Sequence, residues 1–300
     1  MEKKIKCTSC GNIITVTGIP GETVKVICPA CNTVGKFTFE ELKSDVPAEK
    51  LVQIKNISKK YKDILALNNV SFDINKGEIF GYIGPNGAGK TTVFNLICGD
   101  LKPTNGQILL FGQDVTRLPT HKRIAQGISR TFQINKLFPK LTVLQNVLLA
   151  AQGLEKTKYV MYRPMTSYKH LHEKTEEILQ QFEMWERRDD LIQNLSYGEQ
   201  RQIEICLALI ENPRLLLLDE PTAGLSRVET MAFTSILNKL DAEITILLIE
   251  HDMDVAFEFS ENITVLQLGA LVVSGNKDEI KANKKVQEIY LGTQKDDLEN

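Results

Sequence analysis

The sequence lacks the excess of basic residues that marks many nucleic-acid-binding proteins. Its 300 residues include 36 Lys and Arg against 38 Asp and Glu, a formal net charge of −2. Proteins that bind nucleic acid usually carry a basic patch or tail. The balance gives no electrostatic reason to expect a nucleic-acid partner, and we expect none.

Long apolar runs are also missing. No run approaches the roughly 18–20 apolar residues that a membrane-spanning helix needs. The N-terminal segment MEKKIKCTSC is charged and is not followed by an apolar segment, so we do not interpret it as a secretory signal. We expect a cytoplasmic chain that would serve any membrane process through a partner. Its length allows one large domain plus something smaller.

Cysteine is scarce, and four of the six cysteines lie near the N-terminus. Cys7, Cys10, Cys28 and Cys31 have the spacing C-x₂-C-x₁₇-C-x₂-C, which is typical of a structural zinc site. Four thiolates can surround Zn²⁺ tetrahedrally and leave no open position for catalysis. A reducing compartment disfavours disulfides. A redox dithiol pair, a disulfide hairpin and a rubredoxin-like iron site remain alternatives at this point.

The segments between the two cysteine pairs are rich in β-forming residues. Residues 13–16 and 23–27 predict a two-stranded hairpin with a metal knuckle at each end, an arrangement similar to a zinc ribbon. A unit of this size needs its metal in order to fold. We therefore predict a zinc-ribbon-like unit over residues 1–40, followed by a linker over residues 41–50.

A phosphate-binding loop is the strongest motif in the rest of the chain. Residues 84–92, GPNGAGKTT, fit G-x-x-x-x-G-K-[ST]. The apolar segment before the loop predicts a buried strand, and the segment after it predicts a helix, which is the context that the motif requires. Glycines there let backbone N–H groups surround a polyphosphate at the positive end of a helix dipole. The predicted nucleotide-binding residues are Gly84, Pro85, Asn86, Gly87, Ala88, Gly89, Lys90, Thr91 and Thr92.

Two side chains of this loop have specific chemistry. Lys90 can bridge the terminal phosphates as a point charge, and the Thr91 hydroxyl is placed to bind Mg²⁺. The alternative is a glycine-rich turn that binds nothing. The Lys-Thr pair and the two correct flanks favour the phosphate-binding interpretation.

Two more apolar strands end in ionisable residues. The leucines at 215–218 precede Asp219 and Glu220, a Walker B pattern in which Asp219 would hold Mg²⁺ and Glu220 would polarise the attacking water. The apolar segment 244–249 ends at His251, at the strand edge where open α/β sheets bind their ligands. By position alone, His251 is also compatible with a surface histidine without a role. Tyr61 is compatible with either base stacking or simple packing.

The complete set of motifs resembles the ATP-binding cassette (ABC) ATPase family over residues 51–292. In the family's order these motifs are the P-loop, RTFQ with Gln133, the signature LSYGEQR at 195–201, LLLLDEP, the D-loop AGLS and EHD. The resemblance implies an α/β P-loop ATPase core with an antiparallel β arm and a helical subdomain over about residues 134–195. Residues 293–300 would form a charged tail.

The resemblance also implies roles within one subunit. Tyr61 would stack on adenine, His251 would contact the γ-phosphate, and Glu220 would be the catalytic carboxylate. The implied Mg²⁺ ligands are Thr91, Gln133 and Asp219. In this family the nucleotide is ATP, so ATP, Mg²⁺ and structural Zn²⁺ are the expected cofactors.

Two cassettes face head to tail in the family, which implies a second ABC ATPase subunit, identical or different. Ser196, Gly198 and Glu199 of the signature would close on ATP held by that other subunit. The chain departs from the family at Ser226, where the D-loop usually has Asp or Asn. A zinc ribbon is likewise not part of the importer pattern.

Within the family, the chain most resembles the ATP-binding subunits of branched-chain amino acid importers. The supporting strings are TTVFNLICG, ISRTFQ, LSYGEQRQIEI, LLIEHDM and EIYLG, and urea and amide importers carry similar ones. This implies a peripheral subunit on the inner face of the cell membrane that energises integral permease subunits, with an extracytoplasmic solute-binding protein as an indirect partner. Docking is expected on the helical region, with Leu137 and Phe138 as the exposed pair.

An alternative from another class is a soluble ABC ATPase that acts on nucleic acid or ribosomes through the cysteine unit. Soluble members of translation type usually carry two cassettes, and members of repair type carry long coiled coils. This chain has one P-loop and no long heptad run. The transporter subunit is therefore the leading hypothesis.

Overall fold

The structure, a computed structural model, describes residues 2–7, 9–17, 23–38, 49–130, 137–153, 155, 167–238 and 240–296. Two compact units make up the chain, Met1–Ala48 (unit 1) and Glu49–Asn300 (unit 2). Most of the predicted linker over residues 41–50 lies outside the described residues, as does Gln133.

Unit 1 contains two antiparallel β-hairpins. Their strands are β1 (Glu2–Lys6), β2 (Ile13–Thr17), β3 (Thr23–Ile27) and β4 (Val34–Thr38). β1 pairs with β2, and β3 pairs with β4. The predicted hairpin between residues 13–16 and 23–27 is wrong, because among the described residues each of these strands pairs with its outer neighbour.

The cysteine pairs explain this pairing. Each C-x₂-C segment forms the turn of one hairpin, so the chain reverses direction at the cysteines. Gly11 N–H donates to the Cys7 carbonyl over 3.0 Å, and Asn32 N–H donates to the Cys28 carbonyl over 2.9 Å. Val16 and Val26 then pack together as a small core. The two cysteine turns are thus equivalent halves of one unit.

Unit 2 contains two sheets. Its strands are β5 (Lys50–Tyr61), β6 (Ile64–Asn75), β7 (Ile79–Ile83), β8 (Asn105–Leu110), β9 (Gln113–Asp114), β10 (Ile128–Arg130), β11 (Leu215–Asp219), β12 (Thr245–Glu250), β13 (Asn262–Gln267) and β14 (Ala270–Asn276). One sheet is antiparallel with the order β6-β5-β8-β9, and the other has the order β10-β11-β12-β7-β13-β14. The larger sheet is parallel except for β14, which pairs antiparallel with β13.

The run of leucines in β11 is buried on both faces of the larger sheet. Leu215 and Leu217 pack into the core around the first helix, whereas Leu216 and Leu218 pack into the core formed by the helical region. Successive side chains of a strand point to opposite faces, so a continuous apolar run is what a doubly covered parallel strand requires.

Nine α-helices lie in the part of the chain that is described. They are α1 (Lys90–Cys98), α2 (Thr120–Ile124), α3 (Val143–Gly153), α4 (Lys169–Gln181), α5 (Tyr197–Leu209), α6 (Arg227–Asn238), α7 (Met253–Phe259), α8 (Lys277–Ala282) and α9 (Lys284–Asp296). None of them, over these residues, is long and apolar enough to cross a bilayer. α9 continues past residue 292, into the segment where a charged tail is predicted.

The loop before α3 differs from its prediction. Leu137 is only 8% exposed and belongs to the core of the helical region, whereas Phe138 is 57% exposed. The expectation that both side chains are exposed is therefore wrong for Leu137. The buried amide of Asn146 holds the loop: its Oδ1 accepts from Phe138 N–H over 2.8 Å, and its Nδ2 donates to the Phe138 carbonyl over 3.2 Å.

Candidate nucleotide and metal sites

The parallel register of the large sheet brings three motifs to one edge. β12 lies between β11 and β7, with Asp219 opposite Ile249 and Glu250 opposite Ile83. The P-loop follows β7, Asp219 and Glu220 end β11, and His251 follows β12. The carboxyl ends of parallel strands are where open α/β sheets bind ligands. Segments up to 168 residues apart (83 to 251) thus meet at one site.

A cavity of about 760 Å³ opens at this edge. The predicted site residues that line it are Asn86, Gly87, Gly89, Lys90, Thr91, Thr92 and Glu220. Lys90 is the first residue of α1, and Gly89 caps that helix with a φ of 104°, which only glycine adopts without strain. The positive end of the α1 dipole therefore points at this cavity.

The P-loop is open on one side and packed on the other. A Cβ built on Gly87 would meet no atom within 4 Å, whereas one on Gly84 would lie 2.4 Å from the Leu266 carbonyl oxygen. The buried Lys90 ammonium donates to the carbonyls of Gly84 over 2.6 Å and Pro85 over 3.2 Å. Burial lowers the pKa of Lys90, with nearby carboxylates opposing the shift. This shape and charge suit a polyphosphate.

The carboxylate of Asp219 is buried beside this loop. Its Oδ1 has no hydrogen-bond partner among the described residues. Burial, followed by the charge of Glu220, raises the pKa of Asp219 to about 6. A buried carboxylate oxygen without a partner is the kind of oxygen ligand that Mg²⁺ takes, and Thr91, which lines the cavity, would supply a second oxygen, so the residues fit that ion.

Glu220 and His251 lie on opposite sides of a short gap. His251 Nδ1 is 3.8 Å from Glu220 Oε1 and 3.9 Å from Glu250 Oε2. Glu220 N–H donates to the Ile249 carbonyl over 2.8 Å, which ties the end of β11 to β12. Both side chains are partly accessible; Glu220 lines the cavity, whereas His251 does not.

Glu250 is a residue that sequence reasoning did not single out. It is fully buried, and its Oε1 accepts from the Thr222 hydroxyl over 2.9 Å. Burial raises its pKa, while the Thr222 hydrogen bonds lower it. Glu250 is the first residue of the EHD motif, and that position is the sequence signal that could have pointed to it.

The structure places apolar side chains in the cavity that the motifs did not identify. Ile64, Leu65 and Leu268 are exposed and line it. Tyr61 is 41% exposed with the Lys59 ammonium 5.0 Å from its ring centroid, and it is not part of that lining. An Ile-Leu pair directly after a polar turn, on a sheet edge beside the P-loop, is the signal that could have indicated an apolar wall.

The signature residues form the N-terminus of α5. Ser196 caps this helix, accepting from Glu199 N–H over 3.3 Å, while Glu199 Oε2 accepts from Ser196 N–H over 2.8 Å. Gly198 packs so closely that an added Cβ would lie 2.8 Å from Glu229 Oε1. None of these three residues lines the cavity that contains Lys90.

Ser226, the departure in the D-loop, has a structural role. Glu229 Oε2 accepts from Ser226 N–H over 2.8 Å and from its hydroxyl over 2.7 Å, and Ser226 Oγ in turn accepts from Glu229 N–H over 3.4 Å. This is a capping box at the start of α6. A serine is among the preferred residues at this position.

The four N-terminal cysteines converge within unit 1. Their Sγ atoms all lie within 4.8 Å of one another, with Cys7–Cys31 at 3.7 Å and Cys10–Cys28 at 3.6 Å. Tetrahedral Zn²⁺ with Zn–S bonds of about 2.3 Å requires Sγ–Sγ separations of about 3.8 Å. The four ligands therefore fit Zn²⁺.

Comparison with known proteins gives consistent similarities. The profile described as "ABC transporter" matches residues 67–223. The high-affinity branched-chain amino acid transport ATP-binding protein BraF of Pseudomonas aeruginosa is 35% identical over 81% of this chain and 98% of its own length. The lipopolysaccharide export system ATP-binding protein LptB of Haemophilus influenzae is 32% identical over 81% of this chain and 98% of its own length.

Solved structures show the same likeness. An ATP-binding cassette of an ABC transporter in its ADP conformation has a TM-score of 0.73 and 29% identity, over 81% of this chain and 99% of its own. A dimeric cassette in a post-hydrolysis state, bound to ADP and Pi, has a TM-score of 0.62 and 30% identity, over 75% of this chain and 98% of its own.

Proposed function

The chain belongs to the ABC transporter family as an ATP-binding, ATP-hydrolysing subunit, and on that premise we propose that it drives import of branched-chain amino acids or related small polar solutes. Import is supported by the likeness to BraF and by the motif strings of the importer subgroup. LptB, at 32% identity, belongs by its name to an export system. The direction of transport is therefore the part of the proposal that most needs a test.

The observation that supports ATP hydrolysis best is the single sheet edge where the P-loop, Asp219, Glu220 and His251 meet. Backbone N–H groups and Lys90 would hold the phosphates, while Thr91 and Asp219, with Gln133, would hold Mg²⁺. Bound Mg²⁺ supplies positive charge to the phosphate oxygens. Glu220 would accept a proton from the attacking water, and His251 would donate a hydrogen bond to the γ-phosphate.

A second subunit completes the site in this proposal. Ser196, Gly198 and Glu199 lie outside the chain's own nucleotide cavity, at the exposed start of α5. Helix N-termini bind anions, so this one would close on ATP held by the partner subunit. ATP binding would then close the dimer and hydrolysis would reopen it.

Apolar contact with adenine would come from Ile64, Leu65 and Leu268 as well as Tyr61. The first three line the cavity, whereas Tyr61, the last residue of β5, does not. Stacking by Tyr61 remains part of the proposal, because its exposed ring is available to a bound base.

Zn²⁺ held by Cys7, Cys10, Cys28 and Cys31 would stabilise unit 1, because its described core is small. The subunit would lie in the cytoplasm, against permease subunits at the inner face of the membrane. An extracytoplasmic solute-binding protein would deliver the solute and act on this chain only indirectly.

An uptake assay tests the proposed function. In cells that make this chain, Lys90→Ala should reduce initial uptake of labelled leucine to background, because the phosphates lose their buried cation. Lys281→Ala, an exposed lysine on α8, is the matched control and should leave uptake unchanged. Uptake of labelled urea separates the two importer classes. Unchanged leucine uptake, with ATPase activity lost in the purified Lys90→Ala protein, would overturn amino acid import but not the ATPase assignment.

A further inference from the structure

Arg201, the last residue of the LSYGEQR signature, is a buried cation without an assigned role. It lies on α5, 4% exposed, one turn after the capping box of Ser196 and Glu199. Burying a guanidinium is costly unless its donors are satisfied. Its partners therefore indicate what the residue does.

Arg201 donates hydrogen bonds to three groups. Two of them are backbone carbonyls in the turn at Glu220 and Pro221, which follows the Walker B strand β11. Arg201 Nε donates to the Pro221 carbonyl over 3.0 Å, and Nη2 donates to the Glu220 carbonyl over 3.3 Å. The third partner is Glu204 on the same helix, whose Oε2 lies 2.5 Å from Nη1. The fork of the guanidinium thus spans α5 and the turn that carries Glu220.

That turn needs support because its geometry is strained. Glu220 has a φ of 46°, a left-handed conformation that is uncommon for residues other than glycine. Residues in such conformations persist only when their surroundings hold them. On the other side of the turn, the Glu250 carboxylate accepts from Thr222, so Arg201 and Glu250 hold the turn from two directions.

We propose that Arg201 is a positioning residue that couples the signature helix to the Glu220 carboxylate of the same subunit. The planar guanidinium of Arg201 holds its donors in a fixed geometry, so a displacement of α5 would move the Glu220 and Pro221 carbonyls with it. The flexible ammonium of a lysine would transmit such a displacement less well. Engagement of the signature by the partner's nucleotide would then adjust hydrolysis in the subunit's own site. The inference rests on the proposed role of Glu220 in hydrolysis.

The start of α5 makes two further contacts with the segment that follows Glu220. Tyr197 hydroxyl donates to the Ala223 carbonyl over 3.4 Å, and Gly198 lies against Glu229, which caps α6 together with Ser226. The start of α5 therefore contacts the first residue of the D-loop and the first turn of α6, and Arg201 is the contact that reaches Glu220.

The test is Arg201→Lys in the full-length chain, measured for ATPase activity and dimer formation. Lysine keeps the charge beside Glu204 but loses the fork, so kcat should fall about 10- to 100-fold, the size expected for a small misplacement of a reacting group. KM for ATP should change by less than about twofold. When Arg201→Lys is combined with Glu220→Gln, ATP-driven dimer formation should match that of Glu220→Gln alone. A general disruption of α5 would instead reduce dimer formation.

Two controls make the result decisive. Arg214→Lys makes the same chemical change at the opposite end of β11, where Arg214 lies over the Phe111 ring, and should keep kcat within about twofold of wild type. Arg201→Met with Glu204→Met removes both buried charges together, which leaves neither unpaired, and should lose kcat as Arg201→Lys does while remaining folded.

Three outcomes would overturn the inference. The first two are a kcat within twofold of wild type in Arg201→Lys, or in the variant that combines Arg201→Met with Glu204→Met. The third is a loss of dimer formation in Arg201→Lys as large as its loss of kcat. A wild-type chain that hydrolyses no ATP would instead overturn the proposed function.

Discussion

At the scale of single residues, Glu220 has the most constrained surroundings in the site. Its N–H donates to Ile249 of β12, and its carbonyl accepts from Arg201 of α5. Its carboxylate lies near the His251 ring. The adjacent Asp219 is more buried, and burial raises its pKa to about 6. The two neighbouring acids thus have different environments, which suits one to hold a metal and the other to accept a proton.

Glu220→Gln should separate nucleotide binding from turnover. The amide keeps the size of the side chain but cannot accept a proton, so we expect turnover to fall by about 10²–10⁴. ATP affinity should be nearly unchanged, because in this proposal the P-loop and Lys90 hold the phosphates. Steady-state ATPase assays and binding of a fluorescent nucleotide measure the two quantities. Turnover near the wild-type rate would remove Glu220 from the proton-accepting role.

At the scale of elements, the loop from Leu137 to α3 shows how a surface is presented. Asn146 fixes the backbone of Phe138 through two hydrogen bonds, Leu137 is buried beneath it, and the Phe138 ring is left exposed. Leu149 on α3 is also exposed. A rigid backbone with exposed apolar side chains is suited to receive a segment of a permease.

Phe138→Ser with Leu149→Ser should reduce binding to membranes while leaving ATP binding intact. The substitutions remove exposed apolar area and touch neither the P-loop nor the sheet edge. Cofractionation with membranes and leucine uptake should both fall severalfold. Met231→Ser, an equally exposed apolar residue on α6, is the control and should change neither. Unchanged cofractionation in the double variant would place the docking surface elsewhere.

At the scale of the whole molecule, the chain is two compact units with separate cores. The described core of unit 1 is Val16 and Val26 with two partly buried neighbours, whereas unit 2 has three larger clusters. A core this small does not fold a domain unaided, so the four thiolates and their metal would supply the missing free energy.

Metal analysis of the purified chain should find one Zn²⁺ per chain, and Cys28→Ser should abolish it. We expect residues 1 to about 40 to unfold in that variant, as measured by limited proteolysis, while unit 2 still binds ATP. Cys98→Ser changes a buried thiol outside the cluster and should keep the metal. A wild-type chain that is metal-free when prepared under reducing, chelator-free conditions would contradict the zinc assignment.

The sequence alone determined much of unit 2, because its signals are local. The P-loop glycines and the apolar run of β11 each specify a conformation within a few residues of themselves. The order of the motifs then identified the family, which the comparisons confirmed.

Tertiary structure alone decided which distant segments meet. Strand propensity identified β2 and β3 but could not select their partners, since either pairing satisfies the same alternation of side chains. The burial of Leu137 and the bonds from Arg201 to the Glu220 turn depend on packing between segments far apart in the chain. Such contacts leave no local pattern in the sequence, because their free energy comes from groups that only folding brings together.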